Sequence, residues 1–169
     1  DLDSFFDRVN HDMLMARIAR KVEDKRLLGL IRAYLEAGIM ADGVVQPTTV
    51  GTPQGSPLSP LLSNIVLDDF DQLFWSRGHR FVRYADDLRV FVKSRRAAYR
   101  VLEVATRFFE ETLRLKVNRA KSSVKPASSA ELLGYGFYFA KGSQVKLRMA
   151  PSTRQRVKDR IRALTSRRR

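Results

Sequence analysis

The stretch RYADDLRVFV, residues 83–92, holds two adjacent carboxylates, Asp86 and Asp87, within an otherwise apolar, strand-like run. Residues typical of β-strands flank the pair, and aspartates tolerate turn geometry, so residues 80–92 are predicted to form two strands around a tight turn. Two like charges at one turn repel each other and are costly to bury unless a multivalent cation neutralises them. An isolated Asp–Asp pair is more often a solvated turn than a metal site, so the interpretation depends on the rest of the sequence.

A cation at this turn would need oxygen ligands or a histidine, because the chain contains no Cys and only two His. Mg²⁺ prefers oxygen ligands, and a pair of such ions needs a further carboxylate to bridge them. Asp1 is the best candidate, since it opens the apolar segment DLDSFF, which is predicted to be a strand beside the hairpin. Alternation puts Asp3 on the same face as a competitor, whereas Asp7 is expected in the next turn as a helix cap.

Apolar periodicity and turn residues predict an α+β fold with a mostly antiparallel sheet packed on helices. In chain order the predicted elements are a strand at 2–9, helices at 11–22 and 24–38, a ribbon at 44–50, a helix at 58–76, the hairpin at 80–92, a helix at 95–114, strands at 116–124, 132–140 and 144–149, and a helix at 151–165. The predicted helix caps are Asp24, Ser59 and either Ser152 or Thr153, with Gly38 ending the second helix.

The chain is strongly basic, with a formal net charge of +14, and residues 141–169 contain 11 Lys or Arg against one acidic residue. Such an excess is typical of proteins that bind nucleic acid, although a solvated helix face is the alternative for this tail. No apolar run approaches the roughly 18 residues that cross a membrane, and nothing resembles a signal peptide. We therefore expect a cytoplasmic protein without membrane association, and we interpret the start at Asp1 as that of a segment of a longer protein.

Five segments resemble the successive palm motifs of reverse transcriptases. They are DLDSFFD (1–7), GTPQGSPLSPLLSN (51–64), YADD (84–87) within RYADDLRVFV, LRLKVNRAKS (113–122) and LLGYGF (132–137). In detail they are most similar to bacterial group II intron-encoded reverse transcriptases, which are also maturases. The resemblance implies a right-hand polymerase palm at 1–150, with the fingers upstream, and the start of a basic, helical thumb at 151–169.

The resemblance also implies two-metal-ion catalysis of DNA synthesis. Asp1, Asp86 and Asp87 would hold two Mg²⁺ ions, for which Mn²⁺ can substitute, and the backbone carbonyl of Leu2 would be a further ligand. Lys121 corresponds to the lysine that approaches the leaving pyrophosphate in similar polymerases. The implied partners are dNTPs, a DNA primer and an RNA template, which in this group includes the protein's own intron RNA.

The implied nucleotide site contains Phe6, which matches the aromatic residue beneath the incoming sugar, where it leaves no room for a 2′-hydroxyl. Phe5 is its rival, because neighbours on a strand face opposite ways. Gln54 and Gly55 match the motif that lies against the template and the nascent base pair. The other residues implied in template or primer contact are Pro53, Ser56, Tyr84, Leu133, Gly134, Tyr135, Arg154, Arg156 and Lys158.

Two alternatives remain open within this resemblance. The main task of the protein can be RNA binding as a splicing maturase, or the protein can belong to the retron, CRISPR-associated or diversity-generating reverse transcriptases. In either case the segment alone is expected to polymerise weakly or not at all. Outside the motifs, the acidic residues of 68–71 are interpreted as a solvated helix face, and His11 as a capping or packing residue.

Overall fold

The computed structural model describes residues 1–37, 39–41, 44–46, 50–52, 57–141 and 144–165, with only the backbone at 39–41 and 44–46. Predicted residues outside this part of the chain are Gly38, Pro53, Gln54, Gly55 and Ser56. The described residues form helices and antiparallel sheets, as the sequence predicted. They divide into two compact units, Asp1–Val124 and Lys125–Arg169. No helix of this described part is long and apolar enough to cross a membrane.

The first unit carries most of the helices. They are α1 (Phe5–Arg8), α2 (His11–Ile18), α3 (Lys25–Glu36), α4 (Ser59–Ser76) and α5 (Arg95–Arg107), which continues into a π-helix (Phe108–Thr112). The strands of this unit are β1 (Ile39–Ala41), β2 (Val44–Gln46), β3 (Arg80–Tyr84) and β4 (Asp87–Phe91). The antiparallel pairs are β1 with β2 and β3 with β4.

The hairpin predicted from the Asp–Asp pair is confirmed. Tyr84 pairs with Asp87, so that Ala85 and Asp86 form a two-residue turn. Ala85 has a positive φ of 51°, as tight hairpin turns commonly require. The hairpin residues that pack against the core are Phe81, Leu88 and Val90.

Phenylalanines of α4 and the π-helix form the centre of the core in the first unit. The ring of Phe70 lies 4.1 Å from that of Phe74 and 4.6 Å from that of Phe109, centroid to centroid, and both contacts are stacked. Phe81 of β3 meets Phe70 edge-on at 6.2 Å. Stacked and edge-on pairs at these distances add to the stabilisation from burial alone, so β3 is packed firmly on α4.

The predicted strand at 2–9 is wrong. Ser4 adopts a left-handed backbone conformation (φ 50°, ψ 48°), and the chain turns into α1. Phe5 and Val9 are both buried, and their separation of four residues is the spacing of one helical turn. Among the described residues the amino-terminal segment does not pair with the hairpin either, because Leu2 forms its antiparallel bridge with Val117.

The predicted strand at 116–124 is also wrong, since it is reduced to the bridge at Val117 and a turn follows at once.

Several helix caps differ from the prediction as well. Asn10, not Asp7, caps α2 by accepting a hydrogen bond from the Met13 amide at 2.9 Å. Leu58 occupies the cap position of α4. The cap of α3 at Asp24 is confirmed.

The second unit is a small antiparallel sheet followed by a helix. Its strands β5 (Glu131–Leu132), β6 (Tyr135–Phe139) and β7 (Val145–Met149) pair in that order, and α6 (Pro151–Thr165) follows. The predicted strand at 132–140 is therefore a hairpin, whose turn residues Leu133 and Gly134 have φ values of 52° and 80°. Because α6 begins at Pro151, neither Ser152 nor Thr153 is its cap.

Candidate active site

Asp1 is held by the segment that contains Lys121. The Asn118 amide donates a hydrogen bond to the backbone carbonyl of Asp1 at 3.0 Å, and the Ser122 hydroxyl lies 3.4 Å from the same oxygen. The Lys121 ammonium lies 3.8 Å from the Asp1 carboxylate. Asn118 also fixes Lys121, because its side-chain oxygen accepts a hydrogen bond from the Lys121 amide at 3.1 Å. The fold thus brings together two residues that sequence reasoning singled out separately.

The carboxylate of Asp87 lies on the outer face of the hairpin. Asp87 and Arg89 share this face, as alternate residues of β4 do, and the Arg89 guanidinium donates a hydrogen bond to the Asp87 carboxylate. The side chain of Asp87 remains 42% exposed, so it is open to solvent despite this pair. Arg89 was not predicted, although the spacing of the two residues on one strand indicates such a pair.

The hairpin tip and Asp1 act on each other electrostatically. Burial lowers the pKa of the Asp1 amino group, and the positive charge of Arg89 lowers it further. The carboxylates of Asp87 and Asp86 oppose this shift, and Lys121 adds a smaller lowering of the pKa. The charges of the hairpin tip and of Lys121 therefore both contribute to the electrostatic environment of Asp1.

The donor chemistry of these carboxylates fits a hard divalent cation, but their spacing does not form a closed ligand set. Within the described part of the chain, no group of three or more His, Asp or Glu side chains is close enough to hold a metal ion. Asp1 and Asp87 each face a basic side chain instead, Lys121 and Arg89 respectively. Asp3, the predicted competitor of Asp1, pairs with Arg8 at 3.6 Å and Lys116 at 3.4 Å.

Arg83 joins the hairpin turn to α4 from the inner face of the hairpin. Its guanidinium binds both carboxylate oxygens of Asp71, and its Nη1 donates to the side-chain oxygen of Asn64 at 2.8 Å and the carbonyl of Ala85 at 3.0 Å.

The interpretation of residues 68–71 as a solvated face is thus wrong for Asp71. It is wrong for Asp69 as well, which pairs with Arg17 and Arg20.

Phe6 lies beside the start of the loop that leads to Pro53–Ser56. The Thr52 amide donates to the Phe6 carbonyl at 2.6 Å, and the Gly51 amide donates to the Val9 carbonyl at 2.7 Å. Gly51 has a φ of 94°, and a Cβ there would lie 3.2 Å from the backbone of Asp7 and of Phe6, so a side chain is excluded. The predicted nucleotide residue and this loop are therefore packed backbone to backbone.

His11 supports the same loop, which confirms its interpretation as a packing residue. Its side chain is buried, and its Nε2 lies 2.6 Å from the Gly51 carbonyl. Because a carbonyl oxygen can only accept, Nε2 must carry the proton and donate it.

The predicted primer and thumb residues of the second unit are exposed. Leu133 and Tyr135 flank the β5–β6 turn, at 61% and 56% exposure. Gly134 has no room for a side chain, since a Cβ there would lie 2.7 Å from the Thr153 hydroxyl. The basic residues predicted to contact the template–primer duplex, all exposed on α6, are Arg154, Arg156 and Lys158.

The sequence profile of the family described as "Reverse transcriptase (RNA-dependent DNA polymerase)" matches residues 1–137. The chain therefore belongs to the reverse transcriptase family. The resemblance inferred from the five motifs is confirmed at this level.

Similar proteins include members encoded by group II introns. The chain is 36% identical to group II intron-encoded protein LtrA of Lactococcus lactis subsp. cremoris, over 49% of this chain and 14% of that protein. It is 29% identical to protein YkfC of Escherichia coli K12, over 73% of this chain and 42% of that protein. The chain thus spans less than half of the length of either relative.

Among solved structures, a chain of a "Cas6-RT-Cas1--Cas2 complex" is similar to this one. The identity is 30%, over 66% of this chain and 13% of that chain, with a TM-score of 0.38.

Proposed function

We propose that this chain is the palm segment of a group II intron-type reverse transcriptase, which adds dNTPs to a primer 3′-hydroxyl on an RNA template with two Mg²⁺ ions. The start of the thumb would lie at 151–169. The observation that carries the proposal is the approach of the Lys121 ammonium to within 3.8 Å of the Asp1 carboxylate, which joins residues of two separate motifs in the first unit. Membership in the reverse transcriptase family supports the reaction class.

In this proposal the carboxylates of Asp1, Asp86 and Asp87 are the ligands of the divalent ions, with the carbonyl of Leu2 beside them. Bound Mg²⁺ would supply charge neutralisation and activation of the primer hydroxyl. The carboxylates would exchange their present contacts with Lys121 and Arg89 for the metal. This exchange is supported by the partial exposure of Asp1 and Asp87, which leaves both carboxylates accessible from solvent.

Lys121 would act on the leaving pyrophosphate. Its side chain is 70% exposed and its ammonium contacts Asp1 at the long distance of 3.8 Å, so it can turn from Asp1 towards a leaving pyrophosphate. A lysine is suited to this role because its three donors form a compact charge that phosphate oxygens attract. Phe6 would lie beneath the sugar of the incoming nucleotide, and Gln54 and Gly55 would lie against the nascent base pair.

The experiment is primer extension on an RNA template with dNTPs and Mg²⁺, using this chain and any longer natural protein that contains it. Asp86→Asn removes one charge without changing the size of the side chain, and Asp68→Asn makes the same change at an exposed position of α4. We expect Asp86→Asn to abolish extension with RNA binding kept, and Asp68→Asn to extend normally. Equal extension by both variants would contradict the proposed site. The longer protein should extend far more than the chain alone.

RNA binding is a second activity that one observation favours. α6 presents five basic side chains to solvent, namely Arg154, Arg156, Lys158, Arg160 and Arg162, against the single acid Asp159. Side chains of this kind suit contacts with phosphates, which do not depend on the base sequence. A splicing maturase function would use this surface, and it would survive in the Asp86→Asn variant.

A further inference from the structure

The side chain of Arg83 connects two parts of the proposed site that are separate in sequence. One edge of its guanidinium binds Asp71 of α4 through Nε and Nη2. The other edge, through Nη1, holds Asn64 of the same helix and the carbonyl of Ala85. Ala85 is the residue of the turn with the left-handed backbone, and it immediately precedes Asp86.

The hairpin has an inner face, which packs on the core, and an outer face, which is open to solvent. Arg83 lies on the inner face, on which Phe81 packs against the aromatic core of α4. Asp87 belongs to the outer face, since it pairs with the exposed Tyr84. A residue that fixes the turn from the inside therefore leaves the outer face, which carries Asp87, open to solvent.

We infer that Arg83 is a positioning residue, which fixes the hairpin turn on α4 and thereby sets the place of Asp86 and Asp87. The inference rests on the proposed function, because it assigns these carboxylates to the reaction. The fork of an arginine is needed here, since a lysine offers one ammonium and cannot bind Asp71, Asn64 and Ala85 at once in the same plane. The charge of residue 83 alone would not hold the turn.

The chain contains a matched pair for comparison. Arg17 of α2 binds Asp69 of α4 at 2.8 Å and also donates to a backbone carbonyl, that of Met13, at 3.1 Å. The side chains of this pair are 9% and 28% exposed, against 12% and 25% for Arg83 and Asp71. Replacing either arginine by lysine thus disturbs a partly buried ion pair on the same helix, although Asp69 keeps Arg20 as a second partner. Of the two arginines only Arg83 contacts the turn.

The first test measures single-turnover primer extension by Arg83→Lys and Arg17→Lys in the longest form of the protein that is active. A misplacement of catalytic groups by about 1 Å can lower a rate about 100-fold, so we expect Arg83→Lys to reduce the rate constant roughly 10- to 100-fold. Template–primer affinity should not change. Arg17→Lys should lower the melting temperature by no more than Arg83→Lys does, and it should keep its rate. Equal rates in the two variants would overturn the inference.

The second test is independent of activity and measures amide hydrogen exchange at residues 84–88. Arg83→Lys should accelerate exchange there, whereas Arg17→Lys should not, and equal exchange in the two variants would overturn the inference. Failure of the proposed function is a different result, in which wild-type protein and Asp86→Asn extend primers equally. A double variant, Arg83→Lys with Asp71→Asn, should be no slower than the slower single variant, because both changes remove the same contact.

Discussion

Phe5 and Phe6 are neighbours in different surroundings. Phe5 is 2% exposed and belongs to the core, whereas Phe6 is only partly buried and contacts Phe5 edge-on at 5.3 Å. The fold thus leaves Phe6 as the one of the two side chains with a surface open to solvent. This distinction was expected from alternation along a strand, but it arises from the short helix α1.

Phe6→Val tests the assignment of Phe6 as the residue that excludes a ribose. Removal of the ring opens space for a 2′-hydroxyl, so we expect discrimination against ribonucleotides to fall about tenfold or more, as in other steric pockets. The measurement is the ratio of kcat/KM for a dNTP and the matching rNTP. Phe5→Leu is the control, which should lower stability and keep the ratio. An unchanged ratio in Phe6→Val would remove Phe6 from the nucleotide site.

Residue types and motifs allowed Asp1, Asp87 and Lys121 to be selected from the sequence, and the fold does bring Asp1 and Lys121 together. Arg83 and Arg89 were missed for a physical reason. Each acts through a partner that only the fold or the strand register identifies, and in a chain with 32 Lys or Arg a single arginine carries little information.

At the scale of elements, the hairpin and the longer helices were predictable because each has a regular apolar period and clear turn or cap residues. The segment at 2–9 was not, since it is too short for its apolar pattern to separate a strand from a helix, although the spacing of Leu2, Phe5 and Val9 is helical. Residues 113–117 do alternate in burial, with Leu113, Leu115 and Val117 inside. They do not form a strand, since the pairing of this described segment with Leu2 is limited to one antiparallel bridge at Val117.

The β5–β6 turn gives a prediction at this scale. Gly134→Ala forces a side chain into a positive φ and towards Thr153, so we expect a loss of about 1–2 kcal/mol in the opening free energy of β6, measured by native-state hydrogen exchange. Adding Thr153→Ala should recover part of this loss. Gly29→Ala is the control, since nothing lies within 4 Å of its Cβ position in α3, and it should stabilise by about 1 kcal/mol. Unchanged protection in Gly134→Ala would contradict the turn geometry.

At the scale of the whole molecule, the basic excess predicts binding to nucleic acid that depends on salt. Replacement of Arg154, Arg156 and Lys158 by Gln removes three charges, each worth about 0.7 in the slope of log K against log salt concentration for single strands. We expect the slope for RNA binding to fall by about 2 in total. Fluorescence anisotropy at several salt concentrations provides the measurement.

The control for this prediction is the replacement of Lys21, Lys25 and Arg26 by Gln. These residues are exposed in and before α3, and the change in net charge is the same. We expect their slope to stay near that of the wild-type protein. The same decrease in both variants would mean that net charge, and not the surface of α6, governs binding.

Mapping of the bound ion tests whether Asp1, Asp86 and Asp87 share divalent metal. Fe²⁺ in place of Mg²⁺, with ascorbate and peroxide, cleaves the backbone near its binding site. We predict cuts at residues 84–88 and 117–122, which excess Mg²⁺ and the Asp86→Asn substitution both suppress. Cuts confined to other segments, or an identical pattern in Asp86→Asn, would mean that these three carboxylates do not share a metal ion.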